Sequence, residues 1–182
     1  MPTTFTNQAT LSYNNQSIPS NVVTGVLTEV LSVSKTAIPA AYQNGDTITY
    51  AVQLVNSGTA ALTGLTLTDN LGAYTPAAAA VAVVPMTYQS DTLRYYRNGI
   101  LQATPTVAAT SPLTVTGLSI PAGGNTTLMY AVKTNQFTPY GAEESVTNTA
   151  TVTGGGLAAP LTAEATVNAD PAPDLSVIKS MC

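Results

Sequence analysis

The sequence predicts an all-β protein folded as an antiparallel two-sheet sandwich. Threonine occurs 31 times in 182 residues, and Gly and Pro divide the chain into short runs, a composition that favours strands over helices. Several runs alternate apolar and polar residues, which is the pattern of a strand with one buried face. Roughly nine such strands joined by short turns indicate two packed sheets.

An N-terminal hairpin is predicted over residues 1–28. Residues 3–13 alternate and form its first strand, Asn14 to Ser17 form the turn, and Asn21 to Glu29 contain the returning strand. A two-stranded hairpin alone is marginal in water. We therefore expect it to dock, either on its own domain or on another molecule.

The main sandwich is predicted over residues 29–170, beginning with a strand at Leu31 to Lys35. Asn98-Gly99 predicts a tight two-residue hairpin turn, whereas the prolines that flank residues 77–84 predict a loop or short edge segment. Further strands are expected at residues 46–56, 62–69, 93–97, 100–102, 113–115, 118–120, 126–134, 143–153 and 161–167. Residues 171–182 are predicted to be a linker and an extension strand, either the first strand of a following repeat or an assembly strand.

Two segments of the chain occur twice. Phe5 to Leu11 resembles Val146 to Val152, and Leu31 to Lys35 resembles Leu175 to Lys179. The copies are separated by a domain length, so one module lies between them. The flanking pieces look like the end of an earlier module and the start of a later one.

Composition excludes several functions. Charged residues make up only 8% of the chain, and five scattered basic residues with a net charge of −4 leave no basic patch for nucleic acid. The chain has no His and one Cys, so the common zinc sites and His-dependent catalysis are excluded. We expect no enzyme activity, no metal and no cofactor. Cys182 could be a free thiol, a disulfide partner or the result of truncation, of which we favour the last.

Strand alternation places three polar residues on apolar faces. Lys35, Asp69 and Asn148 each share a face with the apolar residues of their own strand. Burying a Lys and an Asp is costly unless they meet. We therefore expect the three side chains to converge in the core.

These three groups have the chemistry needed for a spontaneous isopeptide bond. Desolvation lowers the pKa of Lys35 and yields a neutral amine. It also keeps Asp69 protonated, so that the acid can polarise the carbonyl of Asn148. Neighbours held on adjacent strands have effective concentrations of roughly 10⁵ M or more. The expected product is a Lys35–Asn148 crosslink, formed with loss of ammonia.

Two alternatives remain for this cluster. Lys35 and Asp69 could form only a buried ion pair, with Asn148 as a hydrogen-bond partner. Lys35 could instead extend its ammonium group into water. For the duplicated pieces, Asn7 and Lys179 could be intermolecular counterparts of the crosslinking pair. The simpler interpretation makes Asn7 an ordinary strand residue and the C-terminal piece the remnant of another domain.

The order of motifs resembles a known family. Five motifs follow one another along the chain: Leu-Ser-Val-x-Lys35, Asn44-Gly45-Asp46-Thr47, Asn56-Ser57-Gly58-Thr59, Leu67-Thr68-Asp69 and Thr147-Asn148-Thr149. Together they are similar to the DUF11 conserved repeat domain of bacterial and archaeal surface proteins. The resemblance runs over residues 31–153. It implies an Ig-like sandwich, tandem arrays and a role in surface structure or adhesion, and in outline it also extends to pilin and adhesin modules with Lys-Asn crosslinks.

The function expected from the sequence is structural. We predict a module of a cell-surface array or extracellular fibre that self-associates head to tail into a homo-oligomer or polymer through its terminal strands. The alternative is a monomeric adhesin that binds a glycan or a host protein. No 18-residue apolar run occurs, so we expect no membrane span. The resemblance implies an extracellular or cell-surface location. The N-terminus has no secretory signal pattern, which leaves the export route open.

Overall fold

The computed structural model describes residues 3–27, 30–77, 80–141 and 143–170. These residues form strands, turns and loops without an α-helix, so the predicted all-β Ig-like class is confirmed. The chain divides into two compact units, Met1–Val30 and Leu31–Cys182. The predicted boundaries after residues 28 and 170 stay predictions, and the predicted linker and extension strand lie outside the described residues.

The first unit is an interrupted hairpin. It contains β1 (Thr3–Asn7), β2 (Thr10–Tyr13), β3 (Gln16–Pro19) and β4 (Val23–Leu27). β1 pairs with β4 and β2 pairs with β3, both antiparallel. The single strand predicted over residues 3–13 is wrong at Gln8 and Ala9, because Ala9 instead exchanges hydrogen bonds with Ser20, accepting from its amide at 2.7 Å and donating to its hydroxyl at 3.0 Å.

The turn of this hairpin is shorter than predicted. Asn14 and Asn15 have φ values of 48° and 60°, which close a two-residue turn. Gln16 and Ser17, predicted as turn residues, therefore already belong to β3. The side chains of residues 6–24 in this unit are all exposed, with Leu11, Tyr13 and Ile18 64–75% exposed.

The second unit is a sandwich of two six-stranded sheets. Its strands are β5 (Leu31–Ile38), β6 (Ala41–Tyr42), β7 (Thr47–Asn56), β8 (Leu62–Asp69), β9 (Met86–Tyr88), β10 (Arg94–Arg97), β11 (Ile100–Leu101), β12 (Thr106–Thr110), β13 (Leu113–Ile120), β14 (Asn125–Thr134), β15 (Ser145–Gly154) and β16 (Leu161–Ala169). One sheet has the order β11-β10-β14-β7-β5, with β9 also on β14, and the other has the order β12-β13-β8-β15-β16-β6. All neighbours are antiparallel except β16 and β6, which are parallel.

Several details differ from the sequence prediction. The short strands β6, β9 and β12 were not expected. The two strands predicted at residues 113–115 and 118–120 form the single strand β13, whose register shifts around Gly117 at φ 77°. Asn98-Gly99 forms the predicted turn, with φ values of 48° and 78°. The described part of residues 77–84 forms a loop with an isolated bridge from Tyr74 to Val83.

The core lies between the inner faces of the two sheets. Alternate side chains of β7 and β14 are fully buried against β8, β13 and β15, and each large apolar side chain contributes about 1.5–3 kcal/mol on burial. At one edge of the sandwich, β5 lies against β16 of the opposite sheet. This edge brings the first and last strands of the sandwich together.

Candidate functional site: a buried Lys-Asp-Asn cluster

Lys35 is buried at the edge strand β5. Leu31 and Lys35 are buried and Val33 is partly buried, whereas the residues between them are exposed, so the predicted alternation is confirmed. The Lys35 side chain has no solvent-exposed surface. The alternative in which its ammonium group reaches water is therefore wrong.

Asp69, the last residue of β8, is the centre of the cluster. Lys35 Nζ donates to Asp69 Oδ2 at 2.5 Å, and the Tyr130 hydroxyl donates to the same oxygen. The other oxygen, Oδ1, accepts the backbone N–H of Leu71 at 2.9 Å. Asp69 is fully buried, and these three donors replace the water that a carboxylate loses on burial.

Asn148 lies on the same inner face, in β15. Ala150 pairs directly with Asp69 of β8, so Asn148 lies two residues along the neighbouring strand and faces the same side. Its Oδ1 accepts the backbone N–H of Gly72 at 3.2 Å. Its Nδ2 is buried and makes no hydrogen bond to the described residues, although such donors are normally satisfied.

Burial makes the Lys35 amine easier to deprotonate. Burial lowers the pKa of the Lys35 amine from 10.5 to about 8, although the neighbouring Asp69 acts in the opposite direction. Nζ lies 4.5 Å from the centroid of the Tyr50 ring, a cation–π contact that partly replaces lost hydration. Deprotonation of this amine therefore needs much less alkaline conditions than in water.

Tyr50 and Tyr130 line the cluster as neutral phenols. Burial is the main cause that raises the pKa of both hydroxyls well above 10. The Asn148 amide acts in the opposite direction on the Tyr50 pKa, but the contact does not have hydrogen-bond geometry at Nδ2. The rings are 6.0 Å apart and exclude water from the cluster.

The structure thus brings Lys35, Asp69 and Asn148 into one dry site, as predicted. A buried Lys35–Asp69 ion pair is present. The role of these residues in a covalent bond stays a prediction. Asn7 lies opposite Val23 in the first unit and is exposed, and its role as an intermolecular counterpart of Asn148 stays a prediction. Lys179 lies outside the described residues.

Sequence reasoning missed three members of the site. Tyr50 and Tyr130 share the buried faces of β7 and β14 with apolar residues, a sign that their hydroxyl groups need partners inside the core. Gly72 is the third member and lies in the turn that follows β8. Its amide points at Asn148 because of a tertiary approach between a turn and β15, and a sequence pattern carries no signal for that.

The described part of the chain shows no other candidate centre of this kind. Within it, no three acidic or Cys side chains are grouped so that they could hold a metal ion. No helix in the same residues is long and apolar enough to cross a membrane.

Comparisons with known proteins show a fold but not a family. No family model matches the chain, and no curated protein matches it. Among solved structures it is similar to BcpA, the major pilin subunit of Bacillus cereus, with 14% identity and a TM-score of 0.52 over 91% of this chain and 48% of that chain. It is also similar to the pilus backbone RrgB of Streptococcus pneumoniae, with 11% identity and a TM-score of 0.52 over 68% of this chain and 31% of that chain.

A third similar structure is the N-terminal domain of the adhesin Sgo0707 of Streptococcus gordonii, with 13% identity and a TM-score of 0.52 over 75% of this chain and 32% of that chain. The chain therefore spans less than half of the length of each of these structures. At such low identity the likeness concerns the fold: this chain has the β-sandwich fold found in pilin and adhesin domains.

Proposed function

We propose that this chain is a structural module of a bacterial or archaeal surface array or extracellular fibre, stabilised by a Lys35–Asn148 isopeptide bond. The observation that carries the proposal is the buried Lys35–Asp69 pair next to an Asn148 amide whose nitrogen has no partner among the described residues. The module is not proposed to be an enzyme, because the crosslink would form once and turn over nothing. The order of motifs supports membership in the DUF11 family.

The reaction needs no co-reactant. A proton passes from Lys35 Nζ to Asp69 Oδ2 along their hydrogen bond, which leaves a neutral amine and a carboxylic acid in a site where charges are poorly solvated. The amine attacks Cγ of Asn148 and forms a tetrahedral intermediate. The acid gives its proton to Nδ2 and takes up the proton lost by the attacking nitrogen, so that Nδ2 leaves as ammonia, the C–N bond to Lys35 forms, and Asp69 ends protonated as it was before the attack.

The position of the bond suits a module that has to withstand a pulling force. Lys35 lies in the first strand of the sandwich and Asn148 lies in the last hairpin, β15–β16. A crosslink between them would carry a pulling force directly from the start of the sandwich to its end. The force would then bypass the β5–β7 hydrogen bonds, which otherwise separate first because β5 is an edge strand.

The terminal pieces supply a route to assembly. The hairpin of residues 3–27 has exposed apolar side chains on both of its strand pairs, and its sequence repeats that of β15. We propose that it adds to the sheet of a neighbouring module, that residues 171–182 do the same at the other end, and that Asn7 and Lys179 are the intermolecular counterparts of Asn148 and Lys35. Such head-to-tail contacts do not close and would build a filament at the cell surface.

Intact mass tests the proposal directly. Folded protein should have a mass about 17 Da below that of its sequence, from one ammonia lost, and the Lys35→Met and Asn148→Leu variants should have their full masses. Electron microscopy of the same protein should show chains or filaments. An unmodified mass in folded protein rejects the crosslink, and strictly monomeric particles at high concentration reject the assembly.

A binding module is the second candidate, because the sandwich has an open cavity of about 420 Å³. Tyr88, Ser90 and Asp91 line it, and its volume is within the range of small-ligand sites. An aromatic ring with hydroxyl and carboxylate groups would suit a sugar of a host glycan. Glycan-array binding by stable monomers, lost on Asp91→Ala and Tyr88→Ala substitution, would favour this adhesin function over the fibre.

A further inference from the structure

The turn that follows Asp69 contains a second feature aimed at Asn148. Leu71 and Gly72 both have left-handed backbones, with φ values of 55° and 72°. This conformation is uncommon for a fully buried leucine and costs free energy, so it needs a reason. The result of the geometry is that consecutive amides point at the assisting acid and at the amide that is attacked: Leu71 N–H at Asp69 Oδ1 and Gly72 N–H at Asn148 Oδ1.

Gly72 fits its position only because it has no side chain. A Cβ there would lie 2.4 Å from Val146 Cγ1 and 2.8 Å from Met86 Cε. Both distances are too short for carbon atoms in contact. The backbone of residue 72 can therefore approach β15 closely enough to donate to the Asn148 carbonyl, and any larger residue would move this donor away.

From this geometry we propose that the Gly72 N–H is an oxyanion donor for the Lys35–Asn148 crosslinking reaction. The inference rests on the proposed crosslink. When the Lys35 amine attacks Cγ, the carbonyl π electrons move to Oδ1, and the charge that develops there is the charge that the Gly72 N–H stabilises. The same bond fixes the orientation of the amide, so that Nδ2, the leaving group, is the end without a partner among the described residues.

Asn70 is the positioning residue for this donor. Its Oδ1 accepts Gly72 N–H at 2.9 Å and Thr149 N–H at 3.0 Å, which ties the turn to the residue beside Asn148. The Gly72 N–H is therefore shared between Asn70 Oδ1 and Asn148 Oδ1. A stronger acceptor at position 70 should draw the N–H away from Asn148.

The variant Asn70→Asp separates this role from a purely structural one. The carboxylate keeps both hydrogen bonds of Asn70 and strengthens them, so a structural role predicts that crosslinking is unchanged or faster. The oxyanion role predicts slower crosslinking, because the carboxylate competes for Gly72 N–H and places a negative charge near the developing one. We expect the rate to fall about tenfold or more.

The matched control is Asn98→Asp, since the Asn98 side-chain oxygen also accepts a backbone N–H, that of Asn125 at 2.8 Å. Each protein is made by cell-free synthesis and sampled over time, and intact mass gives the fraction that has lost ammonia. The control should crosslink at the rate of the unsubstituted protein.

A second variant tests the donor if Asn70→Asp does not fold. Incorporation of glycolic acid at position 72 replaces the N–H by an ester oxygen and leaves every side chain unchanged. It should slow crosslinking by about 100-fold, whereas the same replacement at Gly99 should have no effect. If the unsubstituted protein loses ammonia, and both Asn70→Asp and the position-72 ester crosslink at the same rate, the oxyanion role is wrong while the crosslink stands. If the unsubstituted protein never loses ammonia, the crosslink and this inference both fail.

Discussion

Residues 146–152 and residues 5–11 have nearly the same sequence and very different surroundings. In β15 the first set is paired along its whole length with β16 and from Ala150 onwards also with β8, and every second side chain is buried. The described side chains of the second set are exposed, and each of its strands has one partner. The alternation of a strand thus predicts which side chains share a face, whereas neighbouring strands decide whether that face is buried.

The difference has a chemical consequence for the two asparagines. Asn148 is fully buried beside a desolvated Lys35 and an acid, whereas Asn7 is exposed opposite Val23. Amide carbonyls react with amines only where the amine is neutral and the carbonyl is activated. Within an isolated chain we therefore expect Asn148 to react and Asn7 to stay unmodified.

The largest expected effect comes from replacing Asn148, which forms the proposed bond, and is compared with the same replacement at Asn7. The crosslink closes a loop of roughly 110 residues, which stabilises the fold by about 4–5 kcal/mol if it acts like a disulfide. Asn148→Leu should therefore lower Tm by about 10–20 °C. Asn7→Leu, at an exposed position, should change stability by about 0.5 kcal/mol or less. Equal Tm shifts for Asn148→Leu and Asn7→Leu in calorimetry would contradict the predicted difference between the two asparagines.

Next in size is the ion pair without the crosslink. In the Asn148→Leu background, Lys35→Met leaves Asp69 buried with an unpaired charge and should cost about 3–5 kcal/mol in urea unfolding. Adding Asp69→Asn should restore part of this loss, because the charge is then gone. Lys179→Met is the matched control and should leave the unfolding midpoint of the isolated chain unchanged. If Lys35→Met in the Asn148→Leu background does not lower the free energy of unfolding, the ion pair is dispensable and this prediction is wrong.

The pH dependence of the uncrosslinked fold follows from the shifted groups. The folded pKa of Lys35, about 8, lies below its unfolded value of 10.5, so the unfolded state binds more protons between these values and stability should rise with pH there. The rise is at most about 3 kcal/mol. The raised pKa values of Tyr50 and Tyr130 act in the opposite direction above pH 10, because the unfolded phenols ionise first.

Stability of Asn148→Leu should thus increase from pH 8 to about pH 10 and fall beyond it. Urea unfolding at intervals of half a pH unit would show the maximum, and Lys35→Met in the same background should remove the rise. A flat profile in the presence of Lys35 would mean that its amine is not desolvated.

The smallest expected effect concerns apolar packing in the two copies. Val152 is fully buried in β15, and Leu11, at the matching position, is 70% exposed. Val152→Ala should destabilise the sandwich by about 2 kcal/mol through lost burial and a cavity. Leu11→Ala should have an effect of about 0.5 kcal/mol or less in the isolated chain. A large effect of Leu11→Ala would show that the hairpin buries this residue in solution.

The sequence was sufficient to predict the strand faces of Lys35, Asp69 and Asn148, because alternation is a local property and a chain with few charges makes each buried one conspicuous. It could not predict that Gly72 approaches Asn148. That contact depends on a left-handed turn and on the distance between a turn and a strand that are remote in sequence. It could not predict that the described side chains of residues 6–24 in the hairpin are exposed either, because alternation indicates which side chains share a face and not whether that face is covered.

Edge strands were the other weak point of sequence reasoning. β6 and β9 have two and three residues, which is too short for alternation to be recognised. β12 is mostly exposed and its register shifts between Val107 and Ala109. Such strands form because a neighbouring strand offers free hydrogen-bonding groups, and this information lies in the tertiary structure.

Peptide mapping of the folded protein tests the central claim most directly. Trypsin does not cleave after an acylated lysine, so a crosslinked chain should yield residues 1–94 joined to residues 134–179, with tandem mass spectra that place the bond between Lys35 and Asn148. The account predicts this branched peptide from unsubstituted protein and its absence from Asn148→Leu. Separate peptides 1–35 and 134–179 at their full masses, from protein that is folded, would contradict it.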